Sequence, residues 1–331
     1  MKPVVALTVG DWNGIGPEII VKCIHDRAIR SICTPLLVGP PAVFAYYAAL
    51  SGVPFTPTTG GGVQNGTVRI HPVTVPRPAI SPGRVSRAAG AAAGLAIREA
   101  VRLALAGTVD AIVTAPVSKE AFHRSGIRFP GQTEFLQHLT GKPPVAMILA
   151  SERLRVGLVT IHIPLARVAR SLTRGLIVQR TTTVHNALKS DWRIASPRLA
   201  MLGLNPHAGE QGDIGDEEQT TIRPALTALR RRGMAIEGPF PADAFFGRYT
   251  PGSCDAVIAM YHDQGLIPLK MSSMGSAVNV TAGMPVVRTS PDHGTAFDIA
   301  GKNCADPSSM RHAIRLAVTF AKNRHHLRAS A

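Results

Sequence analysis

Aromatic residues, cysteines and carboxylates are all scarce in this chain of 331 residues. Aromatics make up 5% of the sequence, too few for the stacking platforms that bind single-stranded nucleic acid. The 4 cysteines form no C-x-x-C pair, which argues against a zinc knuckle or a redox motif and predicts reduced, mostly buried thiols. They are Cys23, Cys33, Cys254 and Cys304.

Long apolar runs are also missing. No run reaches the roughly 18 residues that a membrane span needs. The opening residues, MKPVVALTVGD, are typical of a short strand and contain no signal-peptide cleavage site. The sequence therefore predicts a cytoplasmic protein with no membrane partner.

The shortage of carboxylates leaves a formal net charge of +15, from 36 Lys and Arg against 21 Asp and Glu. Such an excess attracts nucleic acids and anionic substrates without identifying either. The basic residues are mostly Arg and are spread along the chain, with the densest run at 230–232. We predict no specific nucleic-acid partner; the alternative would show itself as steeply salt-dependent retention on DNA.

Hydrophobic residues make up 45% of the chain, and its length suits about two domains or lobes. Apolar β-branched runs alternate with runs of helical period, which predicts an α/β fold with a mostly parallel sheet. Predicted strands cover 4–9, 35–38, 110–114, 145–149, 156–160, 199–204 and 256–260; predicted helices cover 17–24, 86–106, 176–188, 217–231 and 313–321. Residues 56–67 are expected to form a loop or an edge hairpin. No linker separates two domains, so we expect two intertwined lobes within one unit over 1–331.

Polar residues follow several predicted strands, where ligands bind in open α/β sheets. The segment GDWNGIGPE at 10–18 opens a helix, and its glycines would let the backbone approach an anion. It is not a G-x-G-x-x-G fingerprint, and a structural turn is an equal alternative. In TAPVSK, Lys119 is either a general acid or base, an anion clamp, or a surface lysine at a helix start. In GQTEF, Thr133 and Glu134 could be ligand contacts or helix caps.

Three histidines share one context, because His162, His207 and His262 each follow an apolar strand. Three neutral imidazoles could converge on one metal ion, although a histidine in a loop is more often simply hydrogen-bonded. Asp243 and Asp263 could orient such ligands or could cap helices. Further on, residues 288–302 form a polar, glycine-containing turn expected to lead into a short helix, which suits the ribose or adenine of a nucleotide.

Two of these segments carry a family resemblance. HGTAFDIAGK at 293–302 and GIGPE at 14–18 resemble the metal-dependent β-decarboxylating dehydrogenases, such as isopropylmalate dehydrogenase. The sequence is more similar still to the 4-hydroxythreonine-4-phosphate dehydrogenase family of vitamin B6 synthesis. The segments that match are TAPVSK, TEF, HIPL, LNPHAGEQGDIGDEE, GPFPAD, AMYHDQGLIPLK, VNVTAG and PVVRTSPDHGTAFDIAGK.

The resemblance implies an isopropylmalate-dehydrogenase-like fold, with two α/β lobes around a central cleft, and an NAD-dependent homodimer with a shared active site. It implies that three histidines, one of them from the partner subunit, bind one divalent metal ion: Zn²⁺, Co²⁺, Mn²⁺ or Mg²⁺. The metal ligands would be His162, His207 and His262, supported by Asp243 and Asp263. The substrate contacts would be Gln132, Thr133, Lys270, Asn279 and Arg288. The NAD site would include Gly14, Gly16, His293, Gly294, Thr295, Asp298 and Asn303.

Two departures from the family pattern bear on the substrate. Gln132 stands where the family usually has His, and Trp12 stands where it usually has Pro. A glutamine side chain carries no charge at any pH, so its contact with an anion is weakened or redirected. Trp12 is expected to add an apolar wall near the nicotinamide. Lys270 and Arg288 are retained, which favours a small anionic, phosphorylated substrate.

The resemblance predicts oxidation of the secondary hydroxyl of 4-hydroxythreonine 4-phosphate, followed by decarboxylation. Lys119, Asp243 or Asp263 would take part in catalysis, and the sequence does not choose between Lys119 and Asp243 as proton relay. The alternatives are a related dehydrogenase for phosphoerythronate or phosphothreonate, or for an aromatic cis-dihydrodiol carboxylate. An acyltransferase of related fold is disfavoured, because that chemistry needs neither the histidines nor the segment at 293–302.

Overall fold

Strands and helices alternate along the chain in the computed structural model, which describes residues 2–59, 67–76, 78–273 and 275–329. The strands are β1 (Val4–Thr8), β2 (Thr34–Gly39), β3 (Thr56–Thr58), β4 (Thr67–Pro72), β5 (Ala111–Thr114), β6 (Ala146–Ala150), β7 (Arg155–Leu158), β8 (Arg198–Leu202), β9 (Ala235–Phe240), β10 (Ala256–Ala259), β11 (Val278–Ala282) and β12 (Val287–Pro291). The helices are α1 (Gly16–Ile24), α2 (Arg27–Ile32), α3 (Pro41–Leu50), α4 (Arg87–Leu105), α5 (Lys119–Arg124), α6 (Gln132–Leu139), α7 (Val168–Ser171), α8 (Arg174–Ser190), α9 (Arg223–Arg231), α10 (Ala242–Arg248), α11 (His262–Ser273) and α12 (Ser308–Ala329).

The chain divides into two units. The first unit contains the residues up to Lys142 together with Met284–His325, and the second contains Pro143–Gly283 and the residues from His326 onward. Among the described residues, no helix combines the length and the apolar character that a membrane crossing requires.

The first unit contains a parallel sheet with the strand order β3-β4-β2-β1-β5-β12. Its central strand, β1, is almost continuously buried, as expected for a parallel strand covered on both faces. Helix α4 begins after Ser86, whose side chain accepts a hydrogen bond from the Ala89 amide at 3.3 Å. The loops that follow β1, β5 and β12 contain the segments expected to bind ligands.

The second unit contains strands in the order β11-β6-β7-β10-β8-β9. β6 pairs antiparallel with β7 and with β11, whereas β10 pairs parallel with β7 and β8, and β8 pairs parallel with β9. Side chains from β6, β7, β10 and α11 form its apolar core, which includes Leu149, Val156, Val257 and Leu269. The α/β fold with a mostly parallel sheet is confirmed.

Two local expectations are wrong. β3 and β4 pair in parallel, so they do not form the edge hairpin that was one of the two alternatives at 56–67; residues 60–66 lie outside the described residues. No short helix follows the polar turn after β12: turns extend through 297–303, and α12 begins at Ser308. The helix expected over 217–231 is confirmed, and its first part is a π-helical turn, Glu218–Ile222, before α9.

The cysteine prediction agrees with the structure in part. All four thiols are free, and Cys23 and Cys33 are buried, but Cys254 is only half-buried and Cys304 is exposed. Burial raises the pKa of the two buried thiols to about 12, so they stay protonated and unreactive at neutral pH.

Candidate active site

A buried arginine on β12 contacts the end of the neighbouring strand β5 in the first unit. Arg288, on β12, is 3% exposed and donates hydrogen bonds from Nε and Nη2 to Oγ1 of Thr114, the last residue of β5. Burial lowers the pKa of the guanidinium to about 10, and the charge of Glu134 opposes that shift. Arg288 therefore keeps its positive charge at neutral pH and can bind an anion.

A second polar side chain, that of Gln132, contacts the loop that follows β5. Gln132, the first residue of α6, donates from Nε2 to the carbonyl oxygen of Ala115 at 3.1 Å. Its Oε1 is buried and has no hydrogen-bond partner within the described part of the chain. Thr133 is buried beside it, and no side chain caps this helix, so the capping interpretation of Thr133 and Glu134 is wrong. The Gln132 carbonyl can accept a hydrogen bond from a ligand donor.

Asp11 belongs to the same group of loops, and sequence reasoning missed it. Its amide donates to the carbonyl of Pro116 at 2.9 Å, and its Oδ1 accepts from the Asn13 amide at 3.0 Å. Burial raises the pKa of this carboxyl to about 6, although the amides of Asn13 and Ser118 oppose the shift. The sequence feature that could have identified Asp11 is its position directly after a strand. A buried carboxylate at such a position is a candidate proton carrier.

The structure brings together two segments that were both expected to line an NAD site. The amide of Ile15 donates to the carbonyl of Thr295 at 3.0 Å. A Cβ on Gly14 would lie 2.8 Å from that same carbonyl oxygen, so no larger residue fits there. Gly16 opens α1, and a Cβ on it would lie 3.1 Å from the Ala115 methyl carbon.

The rest of the expected NAD segment lies on the turns after β12. Nδ1 of His293 donates to the carbonyl oxygen of Gly294 at 3.0 Å, and its buried Nε2 has no partner among the described residues. Asp298 and Asn303 are exposed. Lys22 donates to the carbonyl of Asn303 at 3.2 Å, so α1 holds the end of this segment.

Glu18 also connects α1 to the chain after the expected NAD segment, and sequence reasoning missed this residue. Its Oε1 accepts from the Ala305 amide at 2.9 Å and from Lys22 Nζ at 2.8 Å, although 287 residues separate Glu18 from Ala305. The GIGPE segment therefore has a structural role beside any ligand role, because its glutamate ties α1 to the chain after the cofactor segment.

Trp12 belongs to the core of the first unit. Its ring is fully buried, and its carbonyl accepts a hydrogen bond from the Tyr47 hydroxyl at 2.7 Å. The expected place of this side chain near the nicotinamide stays a prediction.

In the second unit, two of the three expected metal ligands lie close together. The ring centroids of His162 and His262 are 5.7 Å apart. Nδ1 of His262 lies 2.6 Å from Oδ1 of Asp263, and because a carboxylate only accepts, Nδ1 carries the hydrogen. Nε2 of His262 then keeps the lone pair that a metal ion needs.

His207 lies on a separate loop and is exposed. Within the described ranges, no group of three or more His, Cys, Asp or Glu side chains is arranged to hold a metal ion. The family resemblance places one of the three metal ligands on the partner subunit. The three histidines of one chain are therefore not expected to meet. Asp243 is exposed in the first turn of α10 and does not join such a group.

The remaining candidates differ in their surroundings. Lys119 is the exposed first residue of α5, next to the capping Ser118, as the helix-start interpretation predicted. Lys270 is exposed on α11. Asn279 lies on β11, and its buried Oδ1 has no hydrogen-bond partner among the residues described. The buried Oδ1 of Asn279 can therefore accept a hydrogen bond from a ligand. Lys119, in contrast, can contact only a ligand that lies at the protein surface.

Comparisons with known proteins agree with these motifs. Residues 31–317 match a family model described as pyridoxal phosphate biosynthetic protein PdxA. A D-threonate 4-phosphate dehydrogenase from Cupriavidus necator is 43% identical over 328 residues, covering 97% of this chain and 98% of that protein. A 4-hydroxythreonine-4-phosphate dehydrogenase from Desulforapulum autotrophicum is 42% identical over 326 residues, covering 97% and 96%. The crystal structure of a 4-hydroxythreonine-4-phosphate dehydrogenase from Klebsiella pneumoniae has a TM-score of 0.87 at 39% identity and covers 97% of this chain and 100% of that one.

A more distant structure supports the fold class alone. Isocitrate dehydrogenase from Methylococcus capsulatus has a TM-score of 0.51 at 14% identity, covering 100% of this chain and 89% of that one. The relation to the isopropylmalate and isocitrate type of dehydrogenase fold is confirmed.

Proposed function

Because the chain belongs to the PdxA family of pyridoxal phosphate biosynthetic proteins, we propose that it is a metal- and NAD-dependent dehydrogenase of 4-hydroxythreonine 4-phosphate. The observation that carries this proposal is the match, over 97% of the chain, to proteins named as dehydrogenases of four-carbon phosphorylated acids. The substrate hydroxyl is oxidised to a ketone as a hydride leaves its carbon and a proton leaves its oxygen. The carboxylate is then β to the new ketone and is lost as carbon dioxide.

The buried cation in the first unit supports an anionic substrate. Arg288 keeps its charge and is held by Thr114, so its guanidinium is already oriented before an anion binds. Gln132 places a carbonyl oxygen that can accept from a hydroxyl or an amine. In the second unit, Lys270 would supply a further positive charge, and Asn279 would supply an acceptor at Oδ1.

The contact between Gly14 and Thr295 supports the NAD proposal. The backbone of the two segments approaches more closely than a side chain at residue 14 would allow, and the buried Nε2 of His293 lacks a partner within the described residues. Gly16 at the start of α1 adds the positive end of a helix dipole. NAD, when bound, would supply the hydride acceptor.

The pair of imidazoles supports the metal proposal. Asp263 fixes the hydrogen on Nδ1 of His262, which leaves Nε2 for a cation, and His162 is close enough to contribute a second nitrogen. With His207 they form the donor set that suits Zn²⁺, Co²⁺ or Mn²⁺, and Mg²⁺ would need added oxygens. The cation, when bound, would polarise the substrate hydroxyl and stabilise negative charge on its oxygen.

Exposed apolar residues support a homodimer with a shared site. In the second unit Leu165 is 71% exposed, and Ile267 and Met271 are 60% and 78% exposed one turn apart on α11. Mixing inactive His162→Ala and His207→Ala proteins tests sharing, because activity returns in hybrid dimers only if the two ligands serve one site from different subunits. Light scattering gives the oligomeric state, and a monomer would contradict the proposal.

A second candidate substrate is D-threonate 4-phosphate, because a dehydrogenase named for that compound, from Cupriavidus necator, is 43% identical to this chain. NADH absorbance, followed with each phosphate before and after chelation and metal add-back, separates the two. Metal-dependent turnover of 4-hydroxythreonine 4-phosphate supports the first proposal. Turnover of D-threonate 4-phosphate alone supports the second, and metal-independent turnover of either contradicts the metal proposal.

A further inference from the structure

One buried carboxylate holds the loop that contains His207. Glu218 is 1% exposed at the start of the π-helical turn Glu218–Ile222. Its Oε1 accepts from the amides of Leu204 and Asn205, at 2.6 and 2.8 Å. Its Oε2 accepts from Nδ2 of Asn205 at 2.9 Å. Three donors from the loop therefore meet the two oxygens of one side chain.

The loop needs such an anchor because its backbone is left-handed. His207, Ala208, Glu210 and Gln211 have φ values of 51°, 52°, 39° and 59°. Non-glycine residues avoid this region unless surrounding contacts hold them there. Ala208 and Gly209 are buried, but His207, Glu210 and Gln211 are exposed, so contacts from the rest of the second unit add to the restraint on this run.

Two glycines show how closely the loop surrounds the carboxylate. A Cβ on Gly203 would lie 2.9 Å from Oε1 of Glu218, and a Cβ on Gly209 would lie 2.6 Å from Oε2. The backbone before His207 and the backbone after it therefore both contact this one side chain. Gln219, the next residue, also donates from its side chain to the carbonyl of Gln211.

We propose that Glu218 is a positioning residue that holds the left-handed turn and thereby presents His207 to the metal ion. This inference rests on the proposed function, since the metal role of His207 is part of that proposal. The requirement is for a carboxylate in particular. Both oxygens accept from N–H donors, whereas an amide accepts at one atom and would turn its NH₂ group toward a donor of the loop.

The adjacent residue offers a matched control. Glu217 is half-buried, and its Oε2 accepts from Nδ2 of Asn205 at 2.7 Å. In Glu217→Gln the new amide can keep this bond by rotating its carbonyl oxygen toward Asn205. Glu218→Gln and Glu217→Gln each remove one negative charge at neighbouring positions, so a general charge effect on cation binding is the same in both.

The experiment measures Co²⁺ and Zn²⁺ affinity of the metal-free protein by calorimetry, amide hydrogen exchange over 203–212, and the melting temperature. We expect Glu218→Gln to weaken metal binding by about tenfold or more and to speed exchange at Leu204 and Asn205. Glu217→Gln should stay within about twofold of the parent in both measurements.

The outcomes separate positioning from a purely structural role. Unchanged metal affinity in Glu218→Gln overturns the inference, whether or not exchange and melting temperature change, and an equal loss in Glu217→Gln overturns it as well. If Glu218→Gln does not fold, Asn205→Ala removes one of the three donors and should give a smaller loss of affinity; no loss would count against the inference. If the parent protein takes up no metal, the proposed metal dependence fails instead, and exchange together with kcat/KM decides whether Glu218 holds the turn.

Discussion

The guanidinium of Arg288 donates two hydrogen bonds to the hydroxyl of Thr114, from Nε at 3.2 Å and from Nη2 at 2.7 Å. A single hydroxyl oxygen at the end of β5 thus orients a buried cation of β12. Burial of this charge costs free energy unless its donors are occupied, so Thr114 stabilises the arginine and sets the direction of its remaining donors.

Replacing that acceptor should weaken both folding and substrate binding. Thr114→Val keeps the shape of the side chain but removes the oxygen, and we expect the free energy of unfolding to fall by about 1–3 kcal/mol. The KM for the phosphorylated substrate should rise as well, because the guanidinium loses its orientation. Urea denaturation and steady-state kinetics measure both. Thr227→Val, on an exposed face of α9, is the control; if both variants behaved like the parent, the role assigned to Thr114 would be wrong.

Adding one methyl group at Gly14 should impair NAD binding. In Gly14→Ala the new Cβ would meet the Thr295 carbonyl at 2.8 Å, so one of the two segments must move. A rearrangement of this kind costs about 1–3 kcal/mol, and if NAD binding bears that cost the KM for NAD rises roughly 5- to 150-fold. Gly247→Ala is the matched change, because a Cβ there meets nothing within 4 Å. An unchanged KM for NAD in Gly14→Ala would remove this contact from the cofactor proposal.

Asp11 should make stability depend on pH. Burial raises its pKa from 3.8 to about 6. Between these two pH values the Asp11 carboxyl is therefore protonated in the folded state and ionised in the unfolded state. The stabilisation is complete below about pH 3.8 and is lost as pH rises through about 6. A shift of this size corresponds to about 3 kcal/mol. Denaturation across this range should show the slope in the parent and not in Asp11→Asn, and a slope that persists in the variant would assign it to another group.

Restoring the family residue at Gln132 should change substrate preference. Gln132→His introduces a side chain that can be protonated, and a charge-assisted hydrogen bond is worth about 1.5–3 kcal/mol. We expect kcat/KM for 4-hydroxythreonine 4-phosphate to rise relative to D-threonate 4-phosphate by about tenfold or more, with the larger effect below about pH 6.5. Gln137→His, further along α6, controls for the added imidazole. An unchanged ratio would show that residue 132 does not select the substrate.

Local patterns were enough to predict seven of the twelve strands and five of the twelve α-helices in the described part of the chain. The apolar run at 4–9 and the capped, alanine-rich run at 86–106 predicted β1 and α4 to within one residue at each end. The elements that were missed had weaker local signals: α11 contains Pro268, and the apolar residues of α3 do not repeat at a helical spacing. The parallel pairing of β3 with β4 depends on the path of the chain between them, which the period of either strand does not encode.

The candidate site shows the same division. Motifs pointed to His162, His262 and Asp263, and the structure places their side chains near one another. Their ligand roles, and that of His207, stay predictions. Burial added to the interpretation of other residues: Trp12 is part of the core, while Asp11 gained a raised pKa from its surroundings.

Strand period, helix caps and motif spacing are properties of residues that are near one another in the chain, so they can be interpreted without coordinates. The bonds that organise the site join distant residues: 174 positions separate Thr114 from Arg288, and 287 separate Glu18 from Ala305. Glu218 and Asn205 are only 13 apart, yet a left-handed turn is what brings them together. No local pattern specifies such contacts, because burial and hydrogen bonding between remote segments are decided when the whole fold packs.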